Sequence, residues 1–401
     1  MEKMETVERM EGFVMKRFVS IMLMIALFTT WTAPLAFAEE NGVQLAENVK
    51  SAILIERDTG EILYEKNSKE QLPPASMTKI MTMLLIMEAL DEGKLKMDEK
   101  VRASEYAASM GGSQIFLEPG EEMTVKEMMQ GIAIGSGNDA SVAMAERIAG
   151  SEEAFVEMMN NKVKELGLKD TVFKNTTGLP VSDHYSTAND MAIMAKELLK
   201  YEDITKFTGM YEAYLRENTD NKFWLVNTNK LVRFYPGVDG LKTGFTKEAL
   251  YCLTATAEKD GMRVIAVVFG APTSKERNAQ VTKMLDYAFN QYKTHQLFER
   301  NHVMGSVKIQ KGAEKTVEVI TSEPISLLTK KGETIDDVKQ QLDVNKDLKA
   351  PIKKGDTIGM LTIEKNGETL VKSPLVAKEN VEEASWWKLF NRSFGMFTKT
   401  K

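Results

Sequence analysis

Pro73-Pro74-Ala75-Ser76-Met77-Thr78-Lys79, followed at once by Ile80-Met81-Thr82-Met83-Leu84-Leu85-Ile86-Met87, constrains this chain more than any other stretch. Each proline disfavours helix in the residue before it, so helix is disfavoured ahead of Ala75. The run after Lys79 is apolar almost all round, which predicts a buried helix. Ser76 and Lys79 are three apart, so on a helix their side chains share a face. A hydroxyl beside an amine at the mouth of a buried helix is a candidate nucleophile with its base. Free backbone N–H groups at the same helix start can stabilise an oxyanion. Taken alone the pattern is weak. Serine at a helix start is usually a cap. A second Ser-x-x-Lys, Ser385-Trp386-Trp387-Lys388, stands near the end of the chain with no catalytic reading.

The 401 residues suffice for two or three domains, and 43% hydrophobic with 27% charged residues argues against wholesale disorder. A net charge of −6 gives no electrostatic reason to expect nucleic-acid binding. Lys16-Arg17, an apolar run from Phe18 to Phe28 and Ala36-Phe37-Ala38 read as a secretory signal over 1–38, cleaved after Ala38. An uncleaved anchor is the alternative, but the apolar stretch is short for a bilayer and broken at Thr29-Thr30. Met15 offers a more usual signal start than Met1. The single cysteine, Cys252, allows no internal disulfide and reads as a small core hydrophobe in a buried strand. The chain is thus expected to be exported but not stapled, with its stability resting on core burial.

Hairpins are expected around Asp58-Thr59-Gly60 and around Lys259-Asp260-Gly261. Between them lie helical segments: one after Ser76 ending near Gly93, one opening with the capping-box pattern at Thr124, one from Ala140 to Ile148, one from Glu152 to Leu166, and one opening at Thr187. A further helix is expected from Lys275 to Tyr292. Strands at both ends and helices in the middle predict an α+β fold, a mostly antiparallel sheet with packed helices, over 39–292. Short alternating runs and Asn366-Gly367 predict a small all-β domain over 293–378. The tail 379–401 carries Trp386, Trp387, Leu389, Phe390 and Phe394 beside Lys388 and Arg392. It reads as an amphipathic helix lying at a membrane surface, with docking on the β domain as the alternative.

Two further motifs follow Ser76-x-x-Lys79 in order: Ser136-Gly137-Asn138 and Lys242-Thr243-Gly244. All three stand at element boundaries, and together they form a set shared by penicillin-binding proteins and class A β-lactamases. Over about residues 44–292 the chain resembles the serine-type D-Ala-D-Ala carboxypeptidases, the low-molecular-mass penicillin-binding proteins. The resemblance implies the penicillin-binding, transpeptidase-like fold. It also implies removal of the terminal D-alanine from peptidoglycan stem peptides through an acyl-enzyme, inhibited by β-lactams, at the outer face of the cytoplasmic membrane.

The chemistry assigns roles. Ser76 would attack the carbonyl between the two D-alanines, and Lys79 would take its proton if burial and Lys242 depress the amine's pKa. Ser136 could relay a proton to the leaving amine. Asn138 could hold both Lys79 and the substrate amide. Lys242 and Thr243 suit the terminal carboxylate, and the resemblance brings Arg277 toward it as well. The backbone N–H groups of Ser76 and of Phe245, the residue after Gly244, would form the oxyanion hole. Some relatives carry histidine at Phe245, and class A β-lactamases carry Asp at Gly137. No cofactor or metal is expected, since His184, His295 and His302 are scattered. His184 reads as a surface-loop residue. The alternatives are a β-lactamase or esterase of the same fold, or a non-catalytic wall-binding protein. A β-lactamase of class A would need a Glu-x-x-Leu-Asn string, which is absent here, so slow release of penicillin is expected. A non-catalytic relative would have no chemical need for the five intact polar residues.

Overall fold

A computed structural model of the chain describes residues 43–345, 347–365 and 367–390. The proposed signal at 1–38, Asn366 and residues 391–401 of the tail lie outside the described residues.

Strands β1 (Ser51–Glu56) and β2 (Ile62–Lys66) form the first hairpin, turned by Gly60 at φ +74°. The chain then builds α1 (Lys79–Asp91), α2 (Val125–Gln130), α3 (Asn138–Ala149), α4 (Glu152–Glu165) and α5 (Ala188–Leu198). It returns through β3 (Val238–Thr246), β4 (Leu250–Lys259) and β5 (Met262–Ala271), and closes with α6 (Ser274–Gln291). The five strands form one antiparallel sheet in the order β2-β1-β5-β4-β3. The expected hairpin at Asp260-Gly261 joins β4 to β5, both turn residues having positive φ.

Period-two alternation splits the sheet's side chains between two cores. Ile53, Ile55, Ile265, Val267 and Phe269 face the helical layer that contains α1. Ala52, Leu54, Val264, Ala266 and Val268 face Val281, Met284, Leu285 and Ala288 of α6. Because both faces are covered, these strands read as nearly continuous apolar runs. Cys252 is buried in the first core, and its thiol is pushed up to about 11 chiefly by burial.

Helix α1 is surrounded on every side, with every residue from Lys79 to Met87 buried. Its apolar circumference has no polar face to offer solvent, so packing rather than amphipathicity fixes its place. Truncating one of its fully buried leucines, such as Leu84, should cost roughly 2–5 kcal/mol. The helix therefore presents a rigid N-terminal end to the site.

From Tyr292 to Ala377 the chain is built of strands. β6 (Tyr292–Phe298) pairs with β9 (Ile325–Lys330). β7 (Val303–Gln310), β8 (Thr316–Thr321), β10 (Val338–Val344), β11 (Leu348–Lys349), β12 (Thr357–Lys365) and β13 (Glu368–Ala377) form a sheet in the order β10-β12-β13-β8-β7-β11. Lys365 opposes Glu368 across the turn at Gly367, whose φ is +84°. Val317, Val319, Leu327, Leu361, Ile363 and Leu375 make a separate core. Ser326 reaches back to donate to Asp58 Oδ2 at 2.7 Å. The protein is thus an α+β sheet with packed helices followed by a small all-β domain.

Candidate active site

The chain enters α1 through a single 3₁₀ turn, Ala75–Thr78. Ser76 therefore lies on that turn, and Lys79 is the first α-helical residue. In 3₁₀ geometry residues three apart eclipse, which brings the two side chains together as the spacing predicts. Lys79 Nζ lies 3.2 Å from Ser76 Oγ. Its other partners are Asn138 Oδ1 at 2.6 Å and the Thr177 carbonyl at 2.8 Å, both acceptors. The amide of Asn138 is oriented by its other end, since Nδ2 donates to the Gly111 carbonyl at 2.6 Å.

Those contacts fit a neutral amine. In that form its two N–H bonds go to Asn138 and Thr177 and the lone pair is left for the Ser76 hydroxyl, whereas an ammonium would donate to all three oxygens. Burial is the first cause holding Lys79 well below the ordinary lysine value, and Lys242 is the second. Asp139 opposes both.

The Ser136-Gly137-Asn138 motif sits where α2 ends. The Thr124 capping box starts that helix, and a wider π turn, Gly131–Gly135, ends it. Ser136 follows in the left-handed region at φ +63°. A Cβ at Gly135 would lie 2.8 Å from a Leu225 methyl, so this bend packs closely on Leu225. A connection holding both Ser136 and Asn138 is the sequence expectation. The structure keeps Ser136 there but makes Asn138 the first residue of α3, whose backbone N–H donates to the Ser113 carbonyl at 2.8 Å. Asp139 takes the N–H groups of Ile115 and Leu117, both at 3.0 Å, fixing the loop that carries Gly111.

Lys242, Thr243 and Gly244 belong to β3, the edge strand beside the turn that carries Ser76. A Cβ at Gly244 would lie 2.7 Å from the Pro74 carbonyl oxygen and 3.2 Å from the Ala75 Cβ. Only glycine lets the strand come this close to Ser76. Lys242 is buried and donates to the Thr243 carbonyl at 3.1 Å, and Thr243 Oγ1 donates to Thr228 Oγ1 at 2.7 Å. Burial, then Arg277, lowers Lys242 to about 7. Arg277 is itself buried in α6, which lowers it to about 10, and its described side-chain bonds go to Asn278. It acts on Lys242 through its charge. Phe245 projects its ring outward, half exposed, against Tyr251 at 4.4 Å.

Sequence reasoning missed the segment 174–184. Asn175 Oδ1 accepts from the N–H groups of Thr177 and Gly178, forming a tight turn that aims the Thr177 carbonyl at Lys79. Asn followed three residues later by Gly is a turn signature that points to it. Gly178, at φ +82°, crosses the turn Ala75–Thr78 so closely that a Cβ would lie 1.8 Å from the Ala75 carbonyl oxygen. His184 departs from its expected surface position. It is 7% exposed, and its Nε2 lies 2.8 Å from Thr78 Oγ1. A histidine between two such segments can satisfy both of its ring nitrogens, which makes burial cheap. Among the described residues, no group of three or more His, Cys, Asp or Glu side chains could hold a metal ion.

Residues 38–273 match the family model described as D-alanyl-D-alanine carboxypeptidase, and residues 292–383 match that of the penicillin-binding protein 5 C-terminal domain. The chain is 65% identical over 390 residues to D-alanyl-D-alanine carboxypeptidase DacF of Bacillus subtilis (strain 168), covering 96% of this chain and 100% of that one. It is 34% identical over 364 residues to D-alanyl-D-alanine carboxypeptidase DacC of Escherichia coli (strain K12), covering 88% and 90%. Penicillin-binding protein 5 from Haemophilus influenzae superposes with a TM-score of 0.65 at 30% identity, covering 85% of this chain and 98% of that one. Penicillin-binding protein D2 from Listeria monocytogenes, in an ampicillin-bound form, gives 0.55 at 31% identity, covering 60% and 98%.

Proposed function

Since the chain belongs to the D-alanyl-D-alanine carboxypeptidase family, we propose that Ser76, Lys79, Ser136, Asn138, Lys242 and Thr243 carry the family's reaction here. The protein is a serine D,D-carboxypeptidase of the low-molecular-mass penicillin-binding type. Its substrate class is the peptidoglycan stem peptide ending in D-Ala-D-Ala, and β-lactam binding fits the same family.

In the reading advanced here, the terminal carboxylate of the stem peptide meets the Lys242 ammonium and the Thr243 hydroxyl. Arg277 adds positive potential from behind. A bound carboxylate favours the charged form of Lys242, raising its pKa from the value in the empty site. Lys79, neutral, accepts the Ser76 proton as Oγ attacks the carbonyl of the penultimate D-alanine. The backbone N–H groups of Ser76 and Phe245 receive the developing oxyanion. The proton on Lys79 passes to the departing D-alanine amine through the Ser136 hydroxyl. That breaks the peptide bond and leaves an ester on Ser76. Water, deprotonated by Lys79, then attacks the ester carbonyl; the Ser76 oxygen leaves, takes the proton back and releases the shortened peptide.

One observation carries this assignment: two acceptor partners, Asn138 Oδ1 and the Thr177 carbonyl, occupy Lys79 Nζ and leave its third direction to Ser76. Labelled penicillin followed by intact-mass analysis tests it. A long-lived adduct on the peptide containing Ser76 supports the assignment. An adduct elsewhere overturns it, and rapid adduct loss returns the β-lactamase reading.

The remaining features are proposals of the same kind. The chain divides into a signal over 1–38, a catalytic domain over 39–292, a β domain over 293–378 and a tail over 379–401. It works outside the cytoplasm, with the tail resting on the outer face of the cell membrane. The exposed side chains of Trp386 and Trp387 support the last point, because such rings favour a membrane interface. No helix among the described residues is long and apolar enough to cross a membrane. Deleting the chain after Asn380 tests the tail: a truncated, signal-free protein that still sediments with membranes contradicts it.

A further inference from the structure

The segment 174–184 is tied to the nucleophile's own turn through one side chain. His184 Nδ1 accepts from the Lys174 backbone N–H at 3.2 Å. That leaves the ring proton on Nε2, which donates to Thr78 Oγ1 at 2.8 Å. The ring also stands edge-on to Phe173, with centroids 5.7 Å apart. Thr78 closes the 3₁₀ turn that carries Ser76. Lys174 opens the stretch that ends with the Thr177 carbonyl on Lys79 Nζ. One neutral imidazole thus bridges the nucleophile's turn and the segment that orients the base.

Other side chains also hold this segment, one of them from α1 itself. Glu152 of α4 takes the Thr176 N–H and hydroxyl. Thr82 donates to the Thr176 carbonyl at 2.7 Å. Asn175 closes the turn on itself. Of these contacts, that of His184 is the one that reaches the turn Ala75–Thr78.

We propose that His184 is a positioning residue for the reaction: the bridge Lys174–His184–Thr78 holds the Thr177 carbonyl against Lys79 and so points the amine's lone pair at Ser76. The proposal rests on the reading of Lys79 as base. Burial, and then the Lys174 charge, lower His184 to about 4, so the ring stays neutral and keeps Nδ1 as an acceptor through the neutral range. Charged groups acting on Lys79 are Lys242 from β3 and Asp139 from α3. The Thr177 carbonyl favours the ammonium form by accepting from it. Withdrawing that carbonyl lowers the pKa of Lys79 further and spoils its alignment.

The test compares kcat, KM and the pH profile of D-alanine release from an N-acylated Lys-D-Ala-D-Ala peptide in the full chain. His184→Phe keeps a ring beside Phe173 and removes both hydrogen bonds. His184→Gln keeps a donor for Thr78, and His184→Asn keeps an acceptor for Lys174. The expected result for His184→Phe is a fall in kcat of roughly tenfold or more, with KM within about threefold of the parent. The acid limb of kcat/KM moves to lower pH, and His184→Gln recovers part of both effects. Unchanged kcat overturns the proposal. So does a lower kcat with an unmoved acid limb, which leaves His184 a packing residue. If His184→Phe fails to fold by thermal melt, the Gln and Asn variants decide by the same two readouts. Activity persisting in Lys79→Ala would instead sink the base assignment. Loss of activity there with unmoved limbs in the His184 variants sinks the positioning role alone.

Discussion

Asn138 gives its carbonyl oxygen to Lys79 Nζ and its amide nitrogen to the Gly111 carbonyl, each at 2.6 Å. The amide is neutral and acceptor-plus-donor, so it orients the lysine without adding charge. A carboxylate of the same shape would stabilise the ammonium and would set an oxygen, in place of the N–H donor, against the Gly111 carbonyl.

Asn138→Asp is therefore expected to retain the fold and lose the base. With the carboxylate ionised, Lys79 titrates higher, so the acid limb of the pH–rate profile rises. The neutral-pH rate falls by roughly a hundredfold, within the range for removing a general base. Stopped-flow acylation by penicillin across pH 5–10 measures both effects. An unmoved acid limb would show that this carbonyl does not act on the amine.

The alkaline limb should belong to Lys242. It must be charged to hold a carboxylate, and in the empty site it titrates at about 7. Productive capture of substrate is thus complete below that value and lost as pH rises through it. The kcat profile of the bound complex extends to higher pH, because the substrate carboxylate favours the charged form. Lys242→Arg, whose guanidinium stays charged, should remove the limb from kcat/KM at some cost in KM.

The same depressed lysine is expected to cost stability. An unfolded chain binds a proton at Lys242 up to its ordinary value of 10.5, whereas the native chain releases it near 7. Between those limits the unfolded state holds more protons, so this residue makes stability rise with pH. Lys242→Met should raise the thermal midpoint at pH 7 by a few degrees and abolish that part of the pH dependence. Scanning calorimetry of the two proteins at pH 7 and 9.5 gives the comparison. A lower midpoint for the methionine variant at both values would refute the expectation.

Gly244→Ala would place a methyl 2.7 Å from the Pro74 carbonyl oxygen. The backbone on both sides is fixed, so β3 must retreat from the nucleophile's turn. Acylation should slow by roughly a hundredfold, as an ångström of misplacement allows. The far-UV circular dichroism should be unchanged. A parent-like acylation rate would mean that the close approach is not needed.

Much of this was legible in the sequence because it is written in side chains and glycines. The apolar circumference of Ile80–Met87 announces a buried helix, and Asp-Thr-Gly and Lys-Asp-Gly mark two hairpins of the sheet. Ser76, Lys79, Asn138 and Lys242 could be nominated because their chemistry is rare at element boundaries. The Thr177 carbonyl could not, since every residue has one and only the folded turn at Asn175 aims it. The burial of His184 is hidden in the sequence for a related reason. A histidine among Ser, Asp and Tyr looks solvent-facing until two partners at Lys174 and Thr78, distant in sequence, make burial tolerable. The sequence places the helix start at Ala140, two residues late, because Gly137 blurs the boundary that α3 respects at Asn138.

The proposed reaction hangs on the hydroxyl of Ser76, and D-alanine release by Ser76→Ala probes it most directly. The substrate is an N-acylated Lys-D-Ala-D-Ala peptide, with the variant's melting curve as the control for folding. The expected result is release indistinguishable from the uncatalysed blank by a protein that melts like its parent. Undiminished release would show that another group performs the attack.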